Sequence, residues 1–179
     1  MDPKEYEAEA GLRDGIFVRI RAIRPGDKQG LRSGFARLSQ QSVYHRFFQT
    51  KRGLTDEELR YLTELDFADH VALVAEAKVD GVDRLVGVGR FVRKAEEGGR
   101  ERAEIAFTVG DQFQGRGVAT LLLEHLARLA STVGIRRFEA EVLPDNRPML
   151  EVFEHSGLEV TSQVREGVVH VELGLPGGP

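Results

Sequence analysis

The chain has 179 residues and contains no cysteine. This absence excludes disulfide bonds, zinc sites with thiolate ligands and iron–sulfur clusters, and it also excludes a covalent intermediate on a cysteine. The five histidines are scattered and show neither an H-E-x-x-H pattern nor another spacing typical of metal ligands. We therefore expect no metal site, and we expect the histidines to be structural or to face solvent.

Long apolar runs and an excess of basic residues are also missing. No stretch approaches the ~20 apolar residues needed to span a bilayer, and the opening MDPKEYEAEAG has no apolar signal-peptide core. A net charge of −4 with a pI near 5.8 argues against a general binder of nucleic acid or anionic membranes. We expect a cytoplasmic protein that binds neither nucleic acid nor membrane.

The composition is that of an ordinary globular domain. Hydrophobic residues make up 41% of the chain and charged residues 30%, and 179 residues suit a single domain with a sizeable core. No internal repeat interrupts the chain. We expect one domain over residues 16–173, with a flexible start at 1–15, which is polar and has nothing evident to pack against, and a flexible tail at 174–179.

Residues 101–133 organise the chain as a strand, a glycine turn and a helix. Over 102–109 the side chains alternate, with Ala103, Ile105 and Phe107 on one face and Glu104 on the other. From Gly117 onward the apolar residues recur at helical spacing. The pattern predicts a strand that ends near Val109 and a helix that begins at the glycines.

The turn between them, Gln114–Ala119, reads Q-G-R-G-V-A. Glycines adopt backbone angles closed to other residues and leave the neighbouring amides uncovered. The first turn of a helix has about four N–H groups without partners and roughly half a positive charge, so phosphate binds there readily. Arg116 adds a full charge. The turn therefore predicts an anion-binding site.

The remaining pattern completes an α/β arrangement. A strand at 16–23 and helices near 27–38, 42–48 and 55–65 precede two antiparallel strands at 71–79 and 85–92. After the central strand and helix come a strand at 136–143, a helix at 146–155 and a hairpin of strands at 158–164 and 168–173. The strand at 136–143 is reached by a parallel crossover. This order predicts three layers, with helices on both sides of a mixed sheet.

The turn Gln114–Ala119 resembles the Q/R-x-x-G-x-G/A signature of the GNAT superfamily of N-acetyltransferases. The order of elements from 18 to 173 resembles the GNAT fold, a mixed central sheet with a splayed central strand pair and flanking helices. The resemblance implies that acetyl-CoA is the co-substrate. Its pyrophosphate would lie on the turn and its pantetheine arm would enter the gap between the two strands.

The segments 42–48, 54–59 and 102–117 resemble bacterial protein lysine acetyltransferases of the Pat type. That likeness implies that Glu104 is the general base and that the acceptor is a protein lysine, such as the active-site lysine of an AMP-forming acyl-CoA synthetase. It also implies a set of residues that bind the cofactor: Phe107, Thr108, Val109, Gln114, Gly115, Arg116, Gly117, Val118, Ala119, Thr120 and Asn146. Asn146 is about equally well explained as a helix cap.

The chemistry of amine acetylation requires a base. A lysine ammonium with a pKa near 10.4 is neutral in only about one molecule in 2,500 at pH 7, a handicap of roughly 4.6 kcal/mol. A positioned carboxylate or a water relay must therefore take the proton. Many relatives have a tyrosine seven residues after the asparagine to protonate the leaving thiolate, but here that position is Phe153. Solvent can serve, because a thiol pKa near 8.5 makes the thiolate a good leaving group.

Other functions remain open at this point. The acceptor can be a small-molecule amine, and Phe153 is compatible with a non-catalytic module that binds or senses CoA. Gly115-x-Gly117 after a strand, followed about twenty residues on by Glu139 or Glu141, also fits part of a dinucleotide-binding fingerprint. Thr120 replaces its third glycine. A P-loop is excluded because no Lys-Ser/Thr follows the glycines.

Overall fold

A computed structural model describes residues 2–177, so that Met1, Gly178 and Pro179 lie outside the described residues. The strands are β1 Glu7–Gly11, β2 Phe17–Ala22, β3 His70–Val79, β4 Val82–Arg93, β5 Arg102–Val109, β6 Arg137–Val142, β7 Glu159–Arg165 and β8 Val168–Gly174. The α-helices are α1 Lys28–Ala36, α2 Gln40–Phe47, α3 Asp56–Thr63, α4 Val118–Thr132 and α5 Arg147–Glu154. Within residues 2–177, no helix combines the length and hydropathy that crossing a membrane requires.

The strands form one mixed sheet in the order β1-β2-β3-β4-β5-β6-β8-β7 across the described chain. Neighbouring strands are antiparallel except β5 and β6, which are parallel. That parallel pairing covers only Arg102 with Arg137, Ala103 with Phe138 and Glu104 with Glu139. Beyond Glu104 the two strands continue to Val109 and Val142 without pairing to each other. The predicted three-layer α/β fold with a splayed central pair is confirmed.

The two faces of the sheet carry different helices. Phe107 of β5 packs against Phe153 of α5 with ring centroids 6.2 Å apart, on the face that α4 also covers. The opposite face of β4 and β5 lies under α1, α2 and α3. The alternation predicted for β5 is confirmed, because Ala103 and Ile105 are buried whereas Glu104 is exposed.

Helix α4 packs directly on β4 because glycines leave room for it. A Cβ on Gly87 would lie 2.7 Å from Cγ1 of Val118, and one on Gly89 would lie 2.9 Å from Cδ1 of Leu126. A Cβ essentially never makes contacts that short, so a larger residue at either position would force Val118 or Leu126 to shift. The position of the first turn of α4 relative to the end of β5 therefore depends on this close approach.

The expectation of a flexible start at 1–15 is wrong for the described residues. Residues 7–11 form β1, which pairs antiparallel with β2 from Glu7 with Arg21 to Gly11 with Phe17. Tyr6 and Leu12, one at each end of the strand, are 8% and 6% exposed. The Glu and Ala residues of this segment have no strong preference for strands, and pairing with the open edge of β2 overrides that weak local tendency.

The boundary predicted for the flexible tail, at residue 174, is also too early in the chain. Gly174 still belongs to β8, and the buried Leu175 donates its N–H to the carbonyl of Arg136 at 2.9 Å. The last two residues of the predicted tail, Gly178 and Pro179, lie outside the described residues. The ordered domain therefore extends past both ends of the predicted range 16–173.

One buried hydrogen bond ties β1 to the central helix. The hydroxyl of Tyr6 donates to Nδ1 of His125 on α4, and the rings meet edge to face with centroids 5.6 Å apart. Burial lowers the pKa of His125, with Arg128 adding to the effect, so the ring is neutral and can accept. This contact holds the start of β1 against the middle of α4.

We predict that Tyr6→Phe lowers the free energy of unfolding by about 1–3 kcal/mol, because a buried ring nitrogen loses its partner. Urea denaturation followed by circular dichroism measures the change. Tyr44→Phe is the matched control, since Tyr44 is 48% exposed and its loss of a hydroxyl should change stability by less than about 0.5 kcal/mol. Equal midpoints for Tyr6→Phe and the parent chain would contradict the prediction.

Candidate active site

The gap between β5 and β6 opens into a large cleft with a volume of about 1120 Å³. Its walls come from the end of β5, the turn and first residues of α4, the end of β6, helix α5 and helix α2. The predicted site residues that line it are Glu104, Phe107, Thr108, Val109, Gln114, Gly115, Gly117, Val118, Ala119, Thr120 and Asn146. The fold thus brings together residues that are separated by more than forty positions in the sequence.

The glycine turn has the backbone geometry that an anion site needs. Gly115 has φ +76° and Gly117 has φ +97°, both in the left-handed region that favours glycine. Gly117 is the N-cap of α4 and provides no side chain to bond the amides of the first turn. Those N–H groups and the positive end of the helix dipole are therefore directed into the cleft, where a diphosphate can accept from them.

Arg116 does not line the cleft, unlike the other predicted residues of the turn. Its guanidinium forms an ion pair with Asp14 at 2.6 Å and lies 4.5 Å from the ring centroid of Phe113. A contact between Arg116 and phosphate stays a prediction, and it would require this pair to open. In the structure the residue instead fastens the loop after β1 to the turn.

Arg13 is a candidate phosphate ligand that the sequence did not indicate. It lines the cleft, and a Cβ placed on Gly117 would lie 3.8 Å from its Nε. The side chain therefore stands at the first turn of α4, where it adds positive charge beside the uncovered amides. Arg13 was not considered because residues 1–15 were expected to be flexible, and no local pattern shows that β1 delivers it here.

Helix α2 is fixed above the cleft by polar contacts with the end of β5. The side-chain amide of Gln114 donates to the carbonyl of Val109 at 3.0 Å and to Oγ of Ser42 at 3.1 Å. Asp111 accepts from the backbone N–H of Ser39 at 3.1 Å. Gln114 thus has a structural role in this arrangement, and its predicted contact with the cofactor stays a prediction.

Asn146 caps helix α5 and also lines the cleft. Its Oδ1 accepts from the backbone N–H of Met149 at 3.4 Å, so the cap interpretation has direct support. Its neighbour Asp145 reaches Nε2 of His45 on α2 at 3.2 Å. The sequence did not single out His45, and this contact links the walls of the cleft at α2 and α5.

Glu104 lies at the point where β5 and β6 separate. It is the last β5 residue that pairs with β6, its side chain is exposed, and it has no ion pair within 4.0 Å among the described residues. Arg46 also lines the cleft; burial lowers its pKa, and the negative charge of Glu104 opposes that shift. Glu104 is thus an available carboxylate at the edge of the cleft.

Glu139, the β6 residue that pairs with Glu104, already has two cationic partners. Lys94 and Arg102 contact the two oxygens of Glu139 at 2.8 and 3.1 Å. Burial alone would raise the pKa of Glu139, but the hydrogen bonds and charges of these two cations hold it below the usual value. A carboxylate stabilised as an anion in this way is a poor proton acceptor, so Glu104 is the better candidate for a general base.

The comparisons with known proteins agree with this geometry. Residues 40–158, more than half of the chain, match the acetyltransferase (GNAT) family. The chain belongs to the GNAT family. It is 37% identical over 167 residues to the acetyltransferase Pat of Mycolicibacterium smegmatis. This match covers 92% of the chain but only 48% of the length of Pat. The predicted enzyme class, a GNAT-type acetyltransferase, is confirmed, as is the likeness to Pat.

Solved structures match over most of the chain. The crystal structure of the GNAT domain of S. lividans PAT has a TM-score of 0.85 and 39% identity, and the match covers 94% of this chain and 97% of that domain. The structure of YncA from Salmonella typhimurium with its cofactor acetyl-CoA has a TM-score of 0.71, with 90% and 96% coverage. At 21% identity this second likeness supports the fold alone.

Two features of the sequence can now be placed in the GNAT fold. Phe153 is 2% exposed and packs against Phe107, so its ring forms part of the apolar wall and offers no proton. The dinucleotide interpretation lacks its acidic partner, because Glu139 is held by two cations and Glu141 lies 3.5 Å from His170. The glycine turn also follows a strand in the middle of a mixed sheet and does not open a parallel one.

We predict that Arg13→Gln raises the Kd for CoA about three- to tenfold, because an exposed cation beside a phosphate contributes a modest, screened attraction. Isothermal titration calorimetry at low salt measures it. Arg60→Gln, at an exposed position of α3 outside the cleft, is the matched control. The loss should vanish when a pantetheine compound without phosphates replaces CoA, and an equal loss for both ligands would show that Arg13 does not contact phosphate.

Proposed function

We propose that this protein is an acetyl-CoA-dependent N-acetyltransferase that transfers the acetyl group directly to the ε-amine of a protein lysine. The acceptor we favour is the active-site lysine of an AMP-forming acyl-CoA synthetase, and the setting is the cytoplasm. The observation that carries the proposal is the separation of β5 from β6 at Glu104, which opens a cleft with a carboxylate at one end and uncovered helix amides at the other. The likeness to Pat over 92% of the chain supports it.

The donor would bind along the length of this cleft. Its diphosphate would accept from the first-turn amides of α4, with Arg13 nearby. The pantetheine arm would lie between β5 and β6, where the backbone of β5 beyond Glu104 has no partner on its β6 side. Backbone N–H groups of Phe107–Val109 would then be available to polarise the thioester carbonyl as negative charge develops on its oxygen.

Glu104 would act on the acceptor. Its carboxylate takes a proton from the lysine ammonium, and the neutral amine attacks the thioester carbon. The new C–N bond forms, the C–S bond breaks, the thiolate leaves with the electron pair, and the nitrogen releases its second proton to water. Because Phe153 cannot donate a proton, the thiolate is protonated by solvent, which its pKa near 8.5 permits. The proposed chemistry uses neither a metal nor a covalent enzyme intermediate.

The acceptor would approach over the exposed face of β6, β7 and β8. A second depression of about 320 Å³ lies there and meets the main cleft at Glu104. Glu139 in its lining is already held by Lys94 and Arg102, and the lining also contains Glu104, Glu141 and Glu172 against Arg165. A surface with this charge balance favours a cationic group such as a lysine side chain.

The test is incubation of the protein with acetyl-CoA and an AMP-forming acyl-CoA synthetase, followed by mass spectrometry for acetyl-lysine. Acetylation of the synthetase's active-site lysine, with loss of its activity, is the expected result. A panel of small amines is assayed in parallel by release of free CoA. Turnover on small amines without acetylation of any protein would replace the proposed acceptor, and CoA binding without turnover would reject the enzymatic proposal.

We predict that Glu104→Gln lowers kcat about 10²–10⁴-fold, the usual contribution of a general base, while the Kd for acetyl-CoA stays nearly unchanged. Steady-state release of CoA and calorimetric titration provide the two readouts. Glu101→Gln, at an exposed position just before β5, removes the same charge outside the cleft and should retain activity. A Glu104→Gln variant with the parent rate would eliminate Glu104 as the base.

A further inference from the structure

A third, smaller cavity lies beside the reaction cleft, between helices α1–α3 and the face of β4 and β5 beneath them. We call it the side pocket, and its volume is about 80 Å³. An engineered cavity of about 150 Å³ is large enough for benzene, so the side pocket has room for a group about half that size. It shares four lining residues with the cleft: Arg46, Phe47, Ala106 and Thr108. The two spaces therefore meet on the surface of β5.

The lining of the side pocket is apolar apart from two arginines and one threonine. The apolar walls include Leu31 and Phe35 of α1 and Leu62 of α3. Arg46 comes from α2 and Arg90 from β4, and the described residues that line the pocket include no aspartate or glutamate. Two guanidinium groups in an apolar pocket without a carboxylate form an unusual arrangement, because buried charges are normally paired.

Arg90 is the more deeply buried of the two, with 6% exposure. Its Nη1 donates to the carbonyl of Leu62 at 3.2 Å and to Nε2 of His70 at 2.9 Å. Burial and the charge of Arg90 lower the pKa of His70 to about 4, so this partner is neutral at physiological pH and brings no negative charge. Asp66, whose Oδ1 accepts from the backbone N–H of His70, makes no ion pair with either arginine within the described chain.

Arg46 stands where the side pocket and the cleft meet. Its guanidinium lies 4.8 Å from the ring centroid of Phe47, and Glu104 attracts it from the cleft without forming a contact within 4.0 Å. Burial lowers the pKa of Arg46, and burial together with the charge of Arg46 lowers the pKa of Arg90. The two cations thus disfavour each other, and an anion placed between them would relieve that repulsion.

We infer that the side pocket is a subsite for a carboxylate carried by a molecule in the reaction cleft. Two sources share this chemistry: the acyl chain of a dicarboxylic acyl-CoA such as succinyl-CoA, and an amine acceptor that itself bears a carboxylate. The catalytic part of the inference rests on the acyl transfer proposed above. The bond changes are the same as in acetyl transfer: a C–N bond forms and the C–S bond breaks. The remote carboxylate does not react.

The register of the sheet places the subsite close to the reacting carbon. Arg90 on β4 pairs with Ala106 on β5, and Val88 pairs with Thr108, so these side chains share one face. Ala106 and Thr108 flank Phe107, whose backbone is proposed to polarise the thioester carbonyl. A short chain that extends from that carbon across the small side chain of Ala106 reaches the side pocket, where paired N–H donors of guanidinium suit a carboxylate.

The first arm of the test measures binding without turnover. Thermal unfolding is recorded with succinate and, as the neutral counterpart, with succinamide, for the parent chain and for Arg46→Gln, Arg46→Lys and Arg37→Gln. Arg37 is an exposed arginine outside the pocket and is the charge-matched control. We expect succinate, but not succinamide, to raise the Tm of the parent chain. The increase should be lost in Arg46→Gln, partly retained in Arg46→Lys and fully retained in Arg37→Gln.

The second arm identifies the source of the carboxylate by turnover. Succinyl-CoA is compared with butyryl-CoA, which has the same chain length without the charge, and free amino acids are compared with their amides as acceptors. A preference for succinyl-CoA that falls at least about tenfold in Arg46→Gln, as expected for a lost charge-assisted hydrogen bond, supports the donor as the source. A preference for the free amino acid that falls in the same way supports the acceptor.

The outcomes separate this inference from the proposed function. Normal acetyl transfer with no succinate effect on Tm and no carboxylate preference in either comparison would overturn the subsite and leave the acetyltransferase standing. A succinate effect that depends on Arg46, in a protein that transfers no acyl group, would support the subsite and overturn the proposed function. Equal effects of succinate on the parent chain and Arg46→Gln would also overturn the subsite.

Discussion

The structure depends on the point where two parallel strands stop pairing. From Arg102 to Glu104, β5 and β6 share a ladder, and beyond it their backbones diverge. Open backbone in a sheet interior is normally costly, because each unpaired N–H or carbonyl loses a hydrogen bond. Here the divergence creates the cleft, leaves the end of β5 accessible on one side, and places Glu104 at the entrance. The site is thus a consequence of where pairing ends.

Electrostatics divides the cleft into regions with different roles. The first turn of α4 and Arg13 make one end positive, while Glu104 and the acidic face of β6 and β8 make the other end negative. Glu139 is held by Lys94 and Arg102, whereas Glu104, its partner at the last paired position, makes no ion pair within 4.0 Å among the described residues. The two arginines of the side pocket, Arg90 buried and Arg46 half-buried, add a third, positive region beside the same strand.

Local patterns were sufficient for the elements that carry the site. The alternation over 102–109 predicted β5 with its bounds, because each residue's side follows from strand geometry alone. The turn at Gly115 and Gly117 also follows from local backbone chemistry. Strand β1 was missed because its Glu and Ala residues become a strand only through the edge of β2.

The sequence by itself determined the order of strands and helices from β2 onward, the glycine turn that begins α4, and the face of β5 that carries Glu104, since these depend on periodicity and on backbone angles of neighbouring residues. Only the tertiary structure decided that Arg13 reaches the turn while Arg116 is bound to Asp14, that Glu139 is already paired, and that Arg46 and Arg90 share a pocket. Those relations join residues far apart in the chain, and their charges act through space, so no local pattern encodes them.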